Sequence, residues 1–428
     1  MKVLMFGWEF PPHLSGGLGT ACFGLTKGLA HHNVDITFVL PRLHGNVPHS
    51  HVKLLGASRV RVHVGKRKIK AFKERVKLLE IDSPIMPYLS GDEYQLLMAS
   101  LKRQEKVRQI EDLEDQLLPE LDNYGCNLMS EIVKYSLIAG TIARNRNFDV
   151  IHAHDWMTFL AGMEAKKNSG KPLVVHVHSI ESDRSGEQVN KGIFDIERAG
   201  MLAADLIIAV SHYTKDNIVK RYGIPESKIR VVHNAVSKEK RFSEFRIKKR
   251  VFKEKIVLFL GRITYQKGPE YFVQAARKVV DRVENVRFVM AGAGDMFPRM
   301  VDQVAILRLG EYFHFTGFLR GADVEKMYAM SDVYVMPSVS EPFGITPLEA
   351  MVHNVPVIVS KQSGIAEILD HAIKVDFWDV DALADGIVRI LTDQGFARRM
   401  AKESGRQLNG IKWELAAEKV LSVYNELA

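Results

Sequence analysis

Cysteine is nearly absent. Cys22 and Cys126 are the two in 428 residues, too few for a disulfide framework or a cysteine-based metal site. A reducing cytoplasm is the natural setting for such a chain. No apolar stretch approaches the roughly 20 residues that a bilayer-spanning helix requires. The opening Met1-Lys2-Val3-Leu4-Met5-Phe6 runs into Gly7-Trp8-Glu9 without a small-residue cleavage site. It therefore reads as a first core strand rather than a signal peptide. The first loop has neither a Gly-x-Gly-x-x-Gly fingerprint nor a P-loop lysine, and Met290-Ala291-Gly292-Ala293-Gly294-Asp295 lacks a third glycine and a later acidic partner. A nicotinamide site is therefore not expected.

What is present is ordinary for a globular protein: 46% hydrophobic and 26% charged residues. At 428 residues the chain exceeds one typical domain, so two are expected. The net charge of +8 concentrates in Arg59–Lys77 and in Lys238–Lys255. Neither segment interleaves aromatics as nucleic-acid modules do, so no nucleic-acid partner is expected. Both read as solvated surface, with peripheral contact to an anionic membrane left open.

Short apolar runs alternate with amphipathic segments, the pattern of βαβ units and parallel sheets. Strands are expected at Lys2–Trp8, Val34–Leu40, Val150–His154, Leu173–His178, Leu206–Ser211 and Ile229–Asn234. After a basic segment the pattern restarts, with strands at Ile256–Arg262, Arg287–Gly292, Phe313–Gly317, Val333–Ser338, Val355–Ser360 and Ile373–Phe377. Leu18, Ala21, Cys22, Leu25 and Leu29 fall on one helix face. Val60, Val62 and Val64 alternate with charged residues as in a half-exposed hairpin strand, and residues 91–146 read as mostly helical. The fold class is therefore α/β: two doubly wound Rossmann-like domains, spanning residues 1–240 and 241–408. A last segment, 409–428, forms a helix that packs back near the interdomain junction.

Chemistry gathers at the expected strand ends. Glu341 and Glu349 flank Pro342-Phe343-Gly344-Ile345-Thr346-Pro347-Leu348, with Gly344 allowing a tight turn and Thr346 placed to cap the helix that carries Glu349. This spacing suits gripping a polyhydroxyl ligand at two points beyond the carboxyl edge of a sheet. The alternative, that Glu349 serves its own helix dipole and Glu341 is a solvated charge, stands beside it. Gly16 and Gly17 join the first strand to a helix whose N-terminus favours phosphate. In Gly261-Arg262-Ile263-Thr264-Tyr265-Gln266-Lys267-Gly268, Arg262 and Lys267 can hold a diphosphate leaving group. His152 with His154, and His176 with His178, alternate along two strands. No cysteine and no third ligand is expected near either pair, so the reading is metal: none. His152 is the more structural of the four.

Together these motifs resemble the retaining, GT-B-fold glycosyltransferases of the glycogen synthase and sucrose-phosphate synthase kind, over nearly the whole chain. The likeness rests on Ser15-Gly16-Gly17-Leu18-Gly19, His152-Ala153-His154-Asp155-Trp156, Gly261-Arg262 with Gln266-Lys267-Gly268, and Glu341 with Glu349. It implies two lobes facing across a cleft and no cofactor. Glu341 would contact the donor sugar's hydroxyls, and Glu349 the nucleotide ribose. Arg262 and Lys267 would bind the diphosphate, under Gly16 and Gly17. His154 would contact the sugar near the reacting carbon, and His178 would line the donor or acceptor side. Ser340, Gly344, Ile345 and Thr346 would offer hydroxyl and backbone groups. The implied partners are a nucleotide sugar, UDP- or ADP-glucose, and a glycan acceptor, most naturally an α-glucan. Surface or lipid-linked saccharide acceptors, and a non-catalytic sugar-nucleotide-binding regulator, are the alternatives. Synthases that use ADP-glucose resemble Lys-x-Gly-Gly-Leu in the first loop, whereas this chain has Leu14 there, so the donor base stays open.

Overall fold

The computed structural model describes residues 1–11, 16–42, 51–59, 128–237 and 254–427. The expected hairpin strand around Val60–Val64 and nearly all of both basic segments lie outside them. So do residues 91–127 of the expected helical stretch.

The first sheet contains β1 (Lys2–Phe6), β2 (Asp35–Leu40), β3 (Lys53–Gly56), β4 (Val150–His154), β5 (Leu173–Val177), β6 (Leu206–Ala209) and β7 (Ile229–Val231). The second contains β8 (Lys255–Leu260), β9 (Val286–Ala291), β10 (Phe313–Gly317), β11 (Val333–Met336), β12 (Val357–Ser360) and β13 (Ile373–Val375). Their orders are β3-β2-β1-β4-β5-β6-β7 and β10-β9-β8-β11-β12-β13. Every pairing between these strands is parallel. Each sheet therefore reverses its winding once, between β1 and β4 and between β8 and β11. Ligands of open α/β sheets bind at such switch points, beyond the carboxyl ends of the strands.

Burial explains the strand sequences. Every residue of β4 and β5 is buried, because helices cover both faces of a parallel sheet and leave no solvated side for polar alternation. On one face lies α1 (Gly17–His31), whose Leu18, Ala21, Cys22, Leu25 and Leu29 are all buried, as the spacing predicts. The C-terminal helix α13 (Trp413–Asn425) packs on α1 and shares its core with Val3, Met5 and Leu25 through Trp413, Ala417, Val420 and Tyr424. Two glycines make that approach possible. A Cβ on Gly24 would stand 2.2 Å from the Trp413 ring, and one on Gly28 2.6 Å from the Trp413 carbonyl oxygen. The chain thus leaves its second sheet and ends on the first. β3 was not expected from the sequence. It is a short edge strand, Lys-Leu-Leu-Gly, without a long apolar run.

Candidate active site between two switch points

Two loops at the carboxyl edge of the second sheet interlock. The loop after β8 ends at Gly268, which adopts φ 60°, and a Cβ there would meet the Pro337 carbonyl oxygen at 2.2 Å. The Gln266 carbonyl accepts the Val339 amide at 2.9 Å, while the Gln266 side-chain oxygen accepts from Arg262 at 3.0 Å. The loop after β11 is thereby held against the loop after β8, and the Lys267 ammonium forms an ion pair with the buried Glu341 carboxylate. Ser338 donates to the same carboxylate at 3.2 Å. Arg262, Lys267 and Glu341, separated in sequence, therefore share one corner. The Gly292 and Gly294 pair that mimics a dinucleotide fingerprint serves this corner too. A Cβ on either would collide with the Gly261 or Ile263 carbonyl, at 1.8 and 2.3 Å.

Gly344 adopts φ 100°, the left-handed region that favours glycine, and turns the chain into α10 (Thr346–Val352). The helix has Ile345 at its cap position, and Thr346 makes no capping bond. Instead Thr346 Oγ1 accepts from the Tyr334 hydroxyl at 2.7 Å. Glu349 stands in the first turn and takes the Tyr328 hydroxyl at 2.9 Å. Burial raises its pKa, and the Tyr328 bond offsets part of that rise. Gly16 and Gly17 open α1 in the first lobe. Gly17 is exposed, and a Cβ on it would meet nothing within 4 Å. Residues 12–15 lie outside the described residues.

The histidines form a two-layer array. Strands β4 and β5 are neighbours, with His154 opposite His176. His152 Nε2 lies 3.3 Å from His176 Nδ1, and His154 Nδ1 lies 3.0 Å from His178 Nε2. The layers stack, with ring centroids 4.3 Å apart for His152 and His154 and 4.2 Å for His176 and His178. The expectation that neither pair has a further ligand nearby is corrected here. Adjacent strands supply each pair with the other, and α1 brings Cys22. The donor atoms of Cys22, His154 and His178, and of His152, His154 and His176, lie within 4.8 Å of one another. In the all-histidine set the rings of His152 and His154 stack, and the in-plane lone pairs of stacked rings do not converge on one ion; in the other set His154 Nδ1 and His178 Nε2 face each other at hydrogen-bonding distance, 3.0 Å. The arrangement fits a hydrogen-bonded array of neutral rings better than a metal cage.

Desolvation by burial pushes His152 and His178 down to about 3, and His154 and His176 well below the usual histidine value. Nδ1 of His152 meets the hydroxyl of Tyr424 from α13. Among the described residues, none pairs with Nε2 of His154 or of His176. His154 is fully buried and His178 half-buried, so His178 is the member of its layer that reaches open space.

Sequence reasoning gave no role to Asp155. Its backbone sits at φ 58°, and its carboxylate accepts the amides of His178 at 2.6 Å and Ser179 at 3.2 Å. Burial raises its pKa to about 7 against the opposing pull of Arg184 and these two amides. The signal available was its position, immediately after a strand that ends in histidine. Arg184, also missed, is held by Glu181 and Glu197, buried carboxylates at 3.1 and 2.7 Å.

Comparison with known proteins places the whole chain in one enzyme class. A family model described as Glycosyl transferases group 1 matches residues 240–407, and one described as Glycosyltransferase Family 4 matches residues 127–240. An uncharacterized glycosyltransferase of Methanocaldococcus jannaschii is 30% identical over 99% of this chain and 98% of its own. The chain belongs to the glycosyltransferases. This glycosyltransferase is also 23% identical to a glycogen synthase of Mycobacterium tuberculosis, over 99% of its length and 94% of the relative's. Its fold is that of sucrose-phosphate synthase from Thermosynechococcus elongatus, with a TM-score of 0.71 at 18% identity, covering 100% and 98% of the two chains. It is also that of Anabaena HepE, solved in complex with UDP and glucose, with a TM-score of 0.67 at 17% identity and complete coverage of both. The glycosyltransferase thus has the GT-B fold expected from its sequence. No helix among its described residues is long and apolar enough to cross a membrane.

Proposed function

We propose that this enzyme transfers a glucosyl group, with retention of configuration, from a nucleotide-diphosphate glucose to an α-glucan. Residues 1–240 form the acceptor-side lobe and 241–408 the donor lobe, with 409–428 returning to the first. The observation that carries the reading is the Lys267–Glu341 ion pair at the mouth of the β8–β11 switch point, with Arg262 tied beside it through Gln266. A donor entering there meets one carboxylate for sugar hydroxyls and two cations for a diphosphate. The UDP and glucose bound by Anabaena HepE support UDP-glucose as the donor, and the likeness to a glycogen synthase supports a glucan acceptor.

In this mechanism Lys267 exchanges part of its contact with Glu341 for the diphosphate, and Arg262 adds a bidentate fork. Both stabilise charge that grows as the bond from sugar to phosphate breaks. The α1 N-terminus, opened by Gly16 and Gly17, adds a favourable dipole to the same phosphates. Glu349 takes the ribose, while Ile345 and Thr346 line the turn around it. His178 contacts the sugar, and His154 holds His178 from behind as a neutral hydrogen-bond partner. The acceptor hydroxyl attacks from the face that the diphosphate leaves, and its proton passes to the departing phosphate oxygen. No divalent ion is required. The test is a panel of nucleotide sugars offered with glycogen, a disaccharide and a lipid acceptor, the product anomer being read by proton NMR. An α-linked glucan from UDP- or ADP-glucose supports the proposal. A β-linkage rules out retention, and transfer only to the lipid rules out the glucan.

A further inference from the structure

We propose that Asp183 is a positioning residue for sugar transfer, holding Ser340, and through it Glu341, in register across the gap between the lobes. This rests on the reading of Glu341 as a donor contact.

Proton counting gives the contact a direction. Ser340 Oγ lies 2.6 Å from Asp183 Oδ1 and 3.0 Å from the Tyr213 hydroxyl. A carboxylate only accepts, so the one proton of Ser340 goes to Asp183, and Tyr213 must donate to Ser340. Asp183 Oδ2 accepts the Ile180 amide at 2.9 Å. Asp183 is 3% exposed, so water hardly competes for either oxygen. Burial raises its pKa against the bonds from Ile180 and Ser340, and the cost of keeping it charged there is offset only by complete pairing.

Both ends of this contact carry site residues. In the first lobe, Asp183 closes the segment that begins at His178, whose amide is held by Asp155. In the second lobe, Ser340 precedes Glu341, whose amide is fixed to the Gln362 carbonyl at 3.0 Å. The Asp183–Ser340 bond therefore ties His178 on one lobe to Glu341 and Lys267 on the other. Other groups hold the lobes together beside it. Ser211 and Thr214 donate to the Pro342 carbonyl. Glu367 accepts the amides of His212 and Tyr213 and meets His233 at 2.9 Å. Loss of the Ser340 hydroxyl thus leaves the lobes in contact and loosens the register of Glu341. Misplacement by about 1 Å costs on the order of 10²-fold in rate.

The test uses the full chain with Ser340→Ala, Asp183→Ala, their double variant and Ser340→Thr. Each single change is expected to lower kcat roughly 10- to 100-fold, while the Kd for UDP by calorimetry stays within about threefold of wild type. The double variant should be no slower than the slower single, because both remove one interaction. Ser340→Thr, which keeps the hydroxyl, should recover most of the rate. Hydrogen exchange at residues 339–343 should quicken in Ser340→Ala and in Asp183→Ala, a readout independent of activity. Wild-type kcat in Ser340→Ala, additive losses, unchanged exchange, or a defect confined to UDP affinity overturns the proposal. The last outcome would make Ser340 a direct donor contact. Failure of the wild type to bind or use any nucleotide sugar would instead overturn the functional reading, and exchange would still decide whether the tie exists.

Discussion

Replacing His152 by glutamine should change the acid sensitivity of the first lobe by a calculable amount. His152 is fully buried, and burial, with a smaller contribution from His178, lowers its pKa to about 3. In the unfolded chain its pKa is about 6.5. Below that value the unfolded state binds a proton that the folded state refuses, so stability falls as pH falls toward 3. Between pH 7.5 and 5.0 the window that counts is about 1.5 pH units, and at 1.36 kcal/mol per unit this amounts to about 2 kcal/mol. Buried Asp155 titrates in the opposite sense, because its raised pKa makes the folded state take up a proton first. That contribution is common to both proteins and drops out of their difference. The destabilisation caused by His152→Gln should therefore be about 2 kcal/mol smaller at pH 5.0 than at pH 7.5. Urea unfolding followed by the fluorescence of Trp8, Trp156 and Trp413, all in first-lobe cores, measures it. An equal destabilisation at both pH values would refute the assignment of His152 as a buried neutral ring.

Other expectations concern the site and its scaffold. Arg262→Ala and Lys267→Ala should each slow sugar transfer on the order of 10²-fold or more in steady-state assays, by analogy with lost oxyanion donors; near-normal turnover in both would remove them from the mechanism. Chelation with EDTA should leave turnover unchanged if cationic side chains do the work of a metal, and a loss restored by a divalent ion would contradict this. Gly28→Val places side-chain carbon against the Trp413 carbonyl, and should destabilise the first lobe by about 1–3 kcal/mol in the same urea assay. A neutral result would show that α1 and α13 can separate at little cost.

The sequence was most legible where burial is two-sided. All twelve expected strands are present because parallel strands covered on both faces are written as apolar runs, as in β4 and β5. Several were drawn too long, such as the first, which stops at Phe6 although Trp8 beyond it is still buried. Hydrophobicity records burial, whereas a strand ends where its hydrogen bonds do. β3 escaped because an edge strand needs little apolar surface. The corner that joins Arg262, Lys267 and Glu341 could be anticipated because both of its loops follow a strand's carboxyl end. The histidine array was not, since it depends on which strands become neighbours. Asp183 and Ser340 were harder still: their partnership exists only across the two lobes, and no spacing along the chain encodes it.

In the proposed mechanism two switch-point edges grip one activated sugar with the side chains of Arg262 and Lys267. A crystal structure with UDP bound tests that most directly. Diphosphate oxygens are expected within about 3 Å of Lys267 Nζ and of the Arg262 guanidinium, with the Lys267–Glu341 pair opened to receive them. A diphosphate bound elsewhere, with that ion pair intact, would contradict it.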